Sequence, residues 1–312
     1  IKKKARKNMS GYFEIRTDLA LEAKENLEKG KEELAGIHVR EERDDEHRIY
    51  TTTVSIETEN SAKAIGKPVG CYITMEVPEM MDEDEDYHRE ISIFLAEKIK
   101  RMRNRQKGSV LLVGLGNRNV TPDALGPSVI DNLKITRHLA KEFGLLESTS
   151  TQVSALIPGV MAQTGMETLE ILKGVISQTQ PDTVVVIDAL AARSIKRLNR
   201  TIQISDAGIH PGSGVGNNRC KINQDTVGVP VIAIGVPTVV DAATIVCDAL
   251  EQTGLEGEQM QLFRETISPG LHTMFVTPKD IDETVKRISY TISEGLNMAF
   301  SLKNIHKKKK TT

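Results

Sequence analysis

Apolar runs alternate with amphipathic stretches after Gly108, which predicts a sheet flanked by helices. Short runs of β-branched and aliphatic residues, bounded by turn-forming residues, predict strands at 110–114, 153–157, 184–187, 201–205, 231–234 and 274–276. Apolar positions at helical spacing predict helices at 123–138, 166–178, 241–252 and 280–300. Strands that alternate with helices favour an α/β fold with a mostly parallel central sheet and helices on both faces.

The first third of the chain has a different pattern. Residues 18–33 combine charged helix formers with apolar positions, and residues 91–102 form an amphipathic repeat, so both predict helices. Residues 50–56 and 71–75 are rich in β-branched and aromatic side chains and predict short strands. We therefore expect a smaller N-terminal α+β portion packed on the α/β core.

Charge and composition exclude several classes of protein. The 312 residues include 41 Lys and Arg against 43 Asp and Glu, and a net charge of −2 argues against direct nucleic-acid binding through a general basic surface. The longest strongly apolar run, 229–237, is about half of what a bilayer span needs, so we expect no membrane segment. Cys71, Cys220 and Cys247 form no CxxC pair, which argues against a disulfide framework and predicts a reducing, cytoplasmic location.

Two aspartates follow predicted strands at positions where ligands bind in open parallel sheets. Asp123 comes after the 110–114 strand and a Gly/Asn turn, and Asp188 directly follows the apolar run 184–187. A carboxylate next to buried residues needs a partner, and two carboxylates held close share a proton because their charges repel. Such a pair supplies one general base and one general acid, which predicts hydrolysis by activated water with no metal and no cofactor.

Other interpretations of these residues stay open. Asp123 could be a helix N-cap and Asp188 a turn residue. With His210, from the Gly-rich loop 209–216, the two aspartates have the right side-chain types to bind one divalent metal ion. The turn at 114–119 could belong to a nucleotide-binding module, although it lacks the third glycine of the dinucleotide motif.

Several long blocks of the sequence, among them Thr121-Pro-Asp-Ala-Leu-Gly126 and Ile187-Asp-Ala-Leu-Ala-Ala-Arg193, resemble the germination proteases of spore-forming Firmicutes. The other blocks lie at 157–161, 201–217 and 233–242, and the similarity extends from about residue 16 to residue 300. The resemblance implies an atypical aspartic endopeptidase, made as a zymogen in the forespore, that degrades small acid-soluble spore proteins during germination. It also implies a homotetramer and a core similar to the hydrogenase-maturing endopeptidases.

Residue by residue, Asp123 and Asp188 fall on the two aspartates proposed as catalytic in that family. The corresponding acidic positions of the hydrogenase-maturing enzymes bind nickel, which keeps a metal-dependent endopeptidase with Asp123, Asp188 and His210 as ligands open as an alternative. The resemblance implies self-processing between Asp18 and Leu19, because residues 17–20, Thr-Asp-Leu-Ala, imitate the cleavage sites in the spore proteins. We therefore divide the chain into a propeptide (1–18), the α+β portion (19–107), the catalytic core (108–302) and a basic tail (303–312).

Four further residues are candidates for supporting roles. Asn117 and Asn119, or backbone N–H groups near them, could stabilise the oxyanion formed on the substrate. Arg193 could bind the acidic residue that precedes the cleaved bond, and His210 could contact the substrate.

Overall fold

The computed structural model describes residues 17–29, 35–82, 84–103, 108–139, 151–212, 219–252, 270–271 and 274–300. Its strands are β1 (Ile37–Asp44), β2 (Ile49–Ile56), β3 (Gly70–Glu76), β4 (Gly108–Gly114), β5 (Thr151–Leu156), β6 (Thr183–Ala192), β7 (Thr201–Ser205), β8 (Val231–Asp241) and β9 (Phe275–Val276). Residues 1–16 of the predicted propeptide and the predicted basic tail lie outside the described residues.

The helices in these ranges are α1 (Ala20–Lys29), α2 (Glu59–Ile65), α3 (Glu85–Arg103), α4 (Leu125–Asp131), α5 (Met161–Thr164), α6 (Thr168–Thr179), α7 (Gln224–Val227), α8 (Ala242–Gln252) and α9 (Ile281–Phe300). Short 3-10 turns lie at Thr121–Asp123 and Ile195–Arg197. In the part of the chain that the structure describes, no helix is both long enough and apolar enough to span a membrane.

The strands form one mixed sheet, and the prediction of a mostly parallel sheet is wrong. The strand order is β1-β2-β3-β7-β8-β6-β4-β5, with β9 paired to the end of β8. Parallel pairing joins β4 to β5, β4 to β6 and β6 to β8, whereas the β1–β2, β2–β3, β3–β7, β7–β8 and β8–β9 pairs are antiparallel. The 193–200 connection between β6 and β7 is shorter than the dozen or so residues that a parallel crossover needs, so β7 runs back against β8.

Helices pack on both faces of the sheet. Successive residues of a strand face opposite sides, so Leu112 of β4 packs in a cluster with α3, α4 and α9, whereas Leu111 packs in a cluster with α6 and α7. Helices α1 and α2 pack against β2 and β3, on the same face as α6 and α7. The two groups of helices leave a strip of this second face uncovered above β6, β7 and β8.

Several elements differ from those predicted. β6 continues to Ala192, so Asp188 lies within a strand rather than after it, and α4 ends at Asp131 instead of residue 138. β1 and α2 were not predicted. β1 is a largely exposed edge strand in which five of eight residues are charged, so it lacks the apolar alternation that marks a half-buried strand.

Three glycines allow the loop after β4 to pack closely on its neighbours. A Cβ atom on Gly126 would lie 2.3 Å from the carbonyl oxygen of Leu115 and 2.6 Å from that of Ile187. Gly116 has a φ of +109°, and a Cβ atom there would lie 2.0 Å from the carbonyl oxygen of Asp123. A Cβ atom on Gly114 would clash with the backbone of Gly126. The glycines that suggested a nucleotide-binding turn are therefore explained by backbone packing.

We predict that Gly126→Ala lowers the free energy of unfolding by about 1–3 kcal/mol, because its methyl group overpacks the contact of α4 with the backbone of Leu115 and Ile187. Gly174→Ala is the matched control, since no atom lies within 4 Å of the added Cβ. As a helix-interior position, it should gain about 0.5–1 kcal/mol. Urea denaturation of both variants measures the difference, and equal stability would contradict the close backbone approach at Gly126.

Candidate functional site

A cleft with a volume of about 1590 Å³ lies on the uncovered strip of the second face. Its floor is formed by β6, β7 and β8, and its walls come from α2, the loop after β4 and the loop that follows β7. Both predicted catalytic residues line it, and so do the predicted cleavage residue Asp18 and His210.

Asp188 lies on the cleft floor, in the middle of β6. It is only 6% exposed, and its Oδ1 accepts a hydrogen bond from the N–H of Ala189 at 3.0 Å. Burial raises the pKa of this carboxyl well above its usual range, and the negative charges of Asp123 and Asp18 raise it further. Asp188 therefore tends to keep its proton at a pH where ordinary aspartates have lost theirs.

Asp123 reaches the cleft from the 3-10 turn that precedes α4. Its Oδ2 accepts a hydrogen bond from the N–H of Asn117 at 2.7 Å, and the Oγ1 of Thr238 in β8 fixes the turn by donating to the carbonyl oxygen of Pro122 at 2.6 Å. Burial raises the pKa of Asp123, while the hydrogen bond from Asn117 opposes this rise. The two aspartates thus come from different elements and interact electrostatically within one cleft.

Of the four residues predicted to have supporting roles, only His210 is among the described lining of the cleft. Asn117 and Asn119 stabilise their own turn, because the N–H of Asn119 donates to the Oδ1 of Asn117 at 3.1 Å. Neither belongs to the described lining of the cleft, and nor does Arg193, whose backbone N–H donates to Glu22 at 2.8 Å. His210 lines the cleft.

The segment with the predicted cleavage site lies in the cleft and pairs with β6. The N–H of Asp18 donates to the carbonyl oxygen of Ala191 at 3.0 Å, and the N–H of Ala191 donates to the Oδ2 of Asp18 at 2.9 Å. The Nζ of Lys67 donates to the carbonyl oxygen of Thr17 at 3.0 Å. The pKa of Lys67 is lowered by burial, and the negative charges of Asp18 and Glu22 oppose this change.

Gln203 in β7 contacts the same segment on both sides of the Asp18–Leu19 bond. Its Nε2 donates to the carbonyl oxygen of Asp18 at 3.2 Å, and its Oε1 accepts from the N–H of Ala20 at 2.7 Å. Neither Gln203 nor Lys67 was predicted from the sequence. Gln203 could have been noticed as the one long polar side chain in a strand of mostly β-branched residues. Nothing in the sequence around Lys67 distinguishes it.

Leu19 occupies an apolar pocket next to this contact. It is fully buried and packs against the side chains of a small cluster that includes Leu190, Leu198 and Val240. The residue after the predicted cleavage point is therefore held by hydrophobic contacts from β6 and β8.

A buried carboxylate holds α1 beside the cleft. Glu22 is 1% exposed, accepts a hydrogen bond from the hydroxyl of Thr17, and accepts two more from the backbone N–H groups of Arg193 and Ser194. The Arg197 guanidinium lies 3.5 Å from Glu22 and supplies positive charge. These contacts fix the start of α1, and with it the segment that precedes the helix.

Among the described residues, no three His, Cys, Asp or Glu side chains are grouped closely enough to hold a metal ion. His210 therefore does not join Asp123 and Asp188 as a third ligand in this arrangement. The geometry provides a pair of carboxylates beside a bound peptide segment, which is suited to acid–base chemistry on a peptide bond.

Comparisons with known proteins show that the chain is similar to a family of peptidases. The family model described as germination protease matches residues 14–256. The chain is 48% identical to the germination protease of Caldanaerobacter subterraneus subsp. tengcongensis over 308 aligned positions, covering 91% of this chain and 94% of that protein. It is 41% identical to the germination protease of Clostridium perfringens over 310 residues, covering 92% and 95% of the two chains. It is 39% identical to that of Bacillus cytotoxicus over 345 aligned positions, covering 92% and 94%.

We predict that Asp188→Asn increases stability in a pH-dependent way. In the unfolded chain this carboxyl has an ordinary pKa near 4, whereas in the folded chain its pKa is raised. The stability that the protonated group contributes is therefore complete below about pH 4 and is lost as the pH rises towards the folded pKa. Asparagine carries no charge, so its advantage should grow from near zero at pH 4 to about 1–3 kcal/mol at pH 7.

Urea denaturation between pH 4 and 8 checks this prediction. Asp131→Asn, which changes an exposed aspartate outside the cleft, is the control and should show no such growth with pH. A stability difference for Asp188→Asn that stays constant over this pH range would contradict the raised pKa.

Proposed function

The chain belongs to the germination protease family, and from that premise we propose that Asp123 and Asp188 activate water against a peptide bond. The protein is thus a hydrolase of the peptidase class that acts in spore germination. The proposal of an aspartic mechanism is carried by one observation, the pair of carboxylates that line one cleft and interact electrostatically there.

The environments of the two carboxyl groups suggest separate roles. Asp188 is the more deeply buried and has the more strongly raised pKa, so it keeps its proton and is the general acid. Asp123 accepts a backbone hydrogen bond that favours its charged form, so it is the general base. Water adds its oxygen to the carbonyl carbon and gives one proton to Asp123. The C–N bond then breaks, and the proton of Asp188 goes to the leaving nitrogen.

We further propose that the chain cuts itself between Asp18 and Leu19, which makes residues 1–18 a propeptide. The position of this segment in the cleft supports the proposal, because it interacts electrostatically with Asp188 and contacts β6. A segment attached to its own chain has a high effective concentration, so it would exclude other substrates until it is cut.

The contacts of the segment also suggest why an acidic residue would be preferred before the cut. The Asp18 carboxylate accepts the N–H of Ala191, and the positive charge of Lys67 lies close enough to attract it. The apolar pocket around Leu19 selects a bulky aliphatic residue after the cut. These preferences match the sites expected in small acid-soluble spore proteins, which we propose as the substrates. From the family resemblance we also propose a homotetramer that acts in the spore core.

We predict that Asp123→Asn and Asp188→Asn each slow cleavage by about 10³-fold or more, because asparagine can neither take up the proton of water nor protonate the leaving amine. The measurement is mass spectrometry of the intact chain over time, which monitors the appearance of a new N-terminus at Leu19.

Asp131→Asn, an exposed replacement outside the cleft, should cleave at the unmodified rate. Excess chelator should also leave the cleavage rate unchanged. Loss of cleavage in the presence of chelator would favour the metal-dependent alternative. Near-normal cleavage by either aspartate variant of the pair would remove that residue from the proposed mechanism.

We predict that the cleavage rate falls as the pH rises through the raised pKa of Asp188. The reaction requires a protonated Asp188, so above that pKa the rate should fall up to about tenfold for each pH unit. The rate of self-cleavage measured between pH 4 and 9 tests this expectation. A rate that increases steadily to alkaline pH would be incompatible with Asp188 as the general acid.

A further inference from the structure

We propose that the side-chain amide of Gln203 is the hydrogen-bond donor that stabilises the oxyanion during cleavage. The oxyanion forms on the carbonyl oxygen of Asp18, so Gln203 would be a catalytic residue in addition to the two aspartates. This inference rests on the proposed cleavage between Asp18 and Leu19.

The sheet places Gln203 and Asp188 in one row. Gln203 is paired with Gly235 across the antiparallel β7–β8 ladder, and Asp188 is paired with the same Gly235 across the parallel β6–β8 ladder. Residues paired across neighbouring strands point to the same face, so both side chains rise from the cleft floor. The residue between them has no side chain, and the space above it is occupied by Leu190, which lies 2.5 Å from where a Cβ of Gly235 would be.

The hydrogen bonds of the Gln203 amide fix which of its atoms faces the scissile bond. The N–H of Ala20 is a donor, so the atom 2.7 Å from it is the accepting Oε1. The other end of the amide is then Nε2, which donates to the carbonyl oxygen of Asp18 at 3.2 Å. The two contacts hold the backbone on both sides of the bond that would be cut.

The donor is directed at the atom that becomes charged. When water adds to the carbonyl carbon of Asp18, the double bond to oxygen becomes a single bond and the oxygen takes the negative charge. A donor already in place stabilises this charge without reorganisation, and removal of one such donor typically slows catalysis by about 10²–10³-fold. Gln203 is 8% exposed, so little water competes for the contact.

The neighbouring donors serve other atoms. Lys67 donates to the carbonyl oxygen of Thr17, one residue before the cut, and Asn117 uses its backbone N–H to hold Asp123. Of these donors, the Gln203 side chain is the one that the structure describes as hydrogen-bonded to the carbonyl oxygen of the predicted scissile bond. We therefore assign to Gln203 the stabilisation of the oxyanion that the sequence suggested for Asn117 and Asn119.

The test compares first-order rates of self-cleavage of the full chain, measured by mass spectrometry of the new N-terminus at Leu19. Gln203→Met keeps a similar length but has no N–H group, and it should slow cleavage by about 10²–10³-fold. Gln203→Glu keeps an oxygen that can accept from Ala20, and its ionised carboxylate has no hydrogen to donate, so it should be comparably slow at a pH where this glutamate is charged. Thermal denaturation checks that each variant is folded.

Thr17→Val is the matched control for a role in anchoring alone. The hydroxyl of Thr17 accepts the N–H of Leu19 at 3.1 Å and donates to Glu22, so its removal weakens the hold on the same segment without touching the carbonyl oxygen of Asp18. It should slow cleavage less than tenfold. Equal losses in Thr17→Val and Gln203→Met would show that Gln203 only anchors the segment, and would overturn the inference.

Asp188→Asn separates failure of this inference from failure of the proposed function. If Asp188→Asn stops cleavage while both Gln203 variants cut within threefold of the unmodified rate, the aspartate mechanism stands and the role of Gln203 is rejected. If Asp188→Asn also cuts normally, the proposed mechanism itself is rejected. If Gln203→Met does not fold, the rate of Gln203→Glu decides the question by the same thresholds.

Discussion

The burial of one carboxyl group in a central strand is the constraint on which the rest of the site depends. Asp188 is almost inaccessible to water and has two acidic neighbours, Asp123 and Asp18, so its charged form is strongly disfavoured. A strand that only needed stability would place an apolar residue there. The fold instead surrounds this carboxyl with backbone contacts and a bound segment, so that it keeps a proton beside a peptide bond.

The mixed direction of the sheet decides which groups meet at this carboxyl. Because β7 runs antiparallel to β8, Gln203 enters the same row as Asp188, separated from it by Gly235. The three strands in this row approach the cleft floor from different parts of the chain. Asp123 arrives from a loop that packs closely only because glycines let backbone contact backbone. The site is thus assembled by strand order and close packing, not by a local motif.

The sequence predicted the parts of this site that local pattern encodes. Asp123 and Asp188 could be found because each follows or interrupts a strongly apolar strand, and their convergence followed from the expected parallel pairing of β4 and β6, which the structure has. The reversal of β7 was missed, since apolar runs carry no information on strand direction. Lys67 could not be identified, because its proximity to Asp18 depends on how α2 packs against the segment before α1. When a residue is buried by elements far away in the sequence, its sequence neighbours do not indicate this burial.

The pairing of Asp18 with β6 also bears on what would happen to the proposed propeptide after the proposed cut. Hydrolysis would turn the carbonyl group of Asp18 into a second carboxylate on that residue, beside the carboxyl groups of Asp123 and Asp188. Like charges in a confined, poorly solvated space repel strongly. The new carboxylate at the end of the cut propeptide would therefore weaken its binding in the cleft. The step that cuts the propeptide would also favour its release.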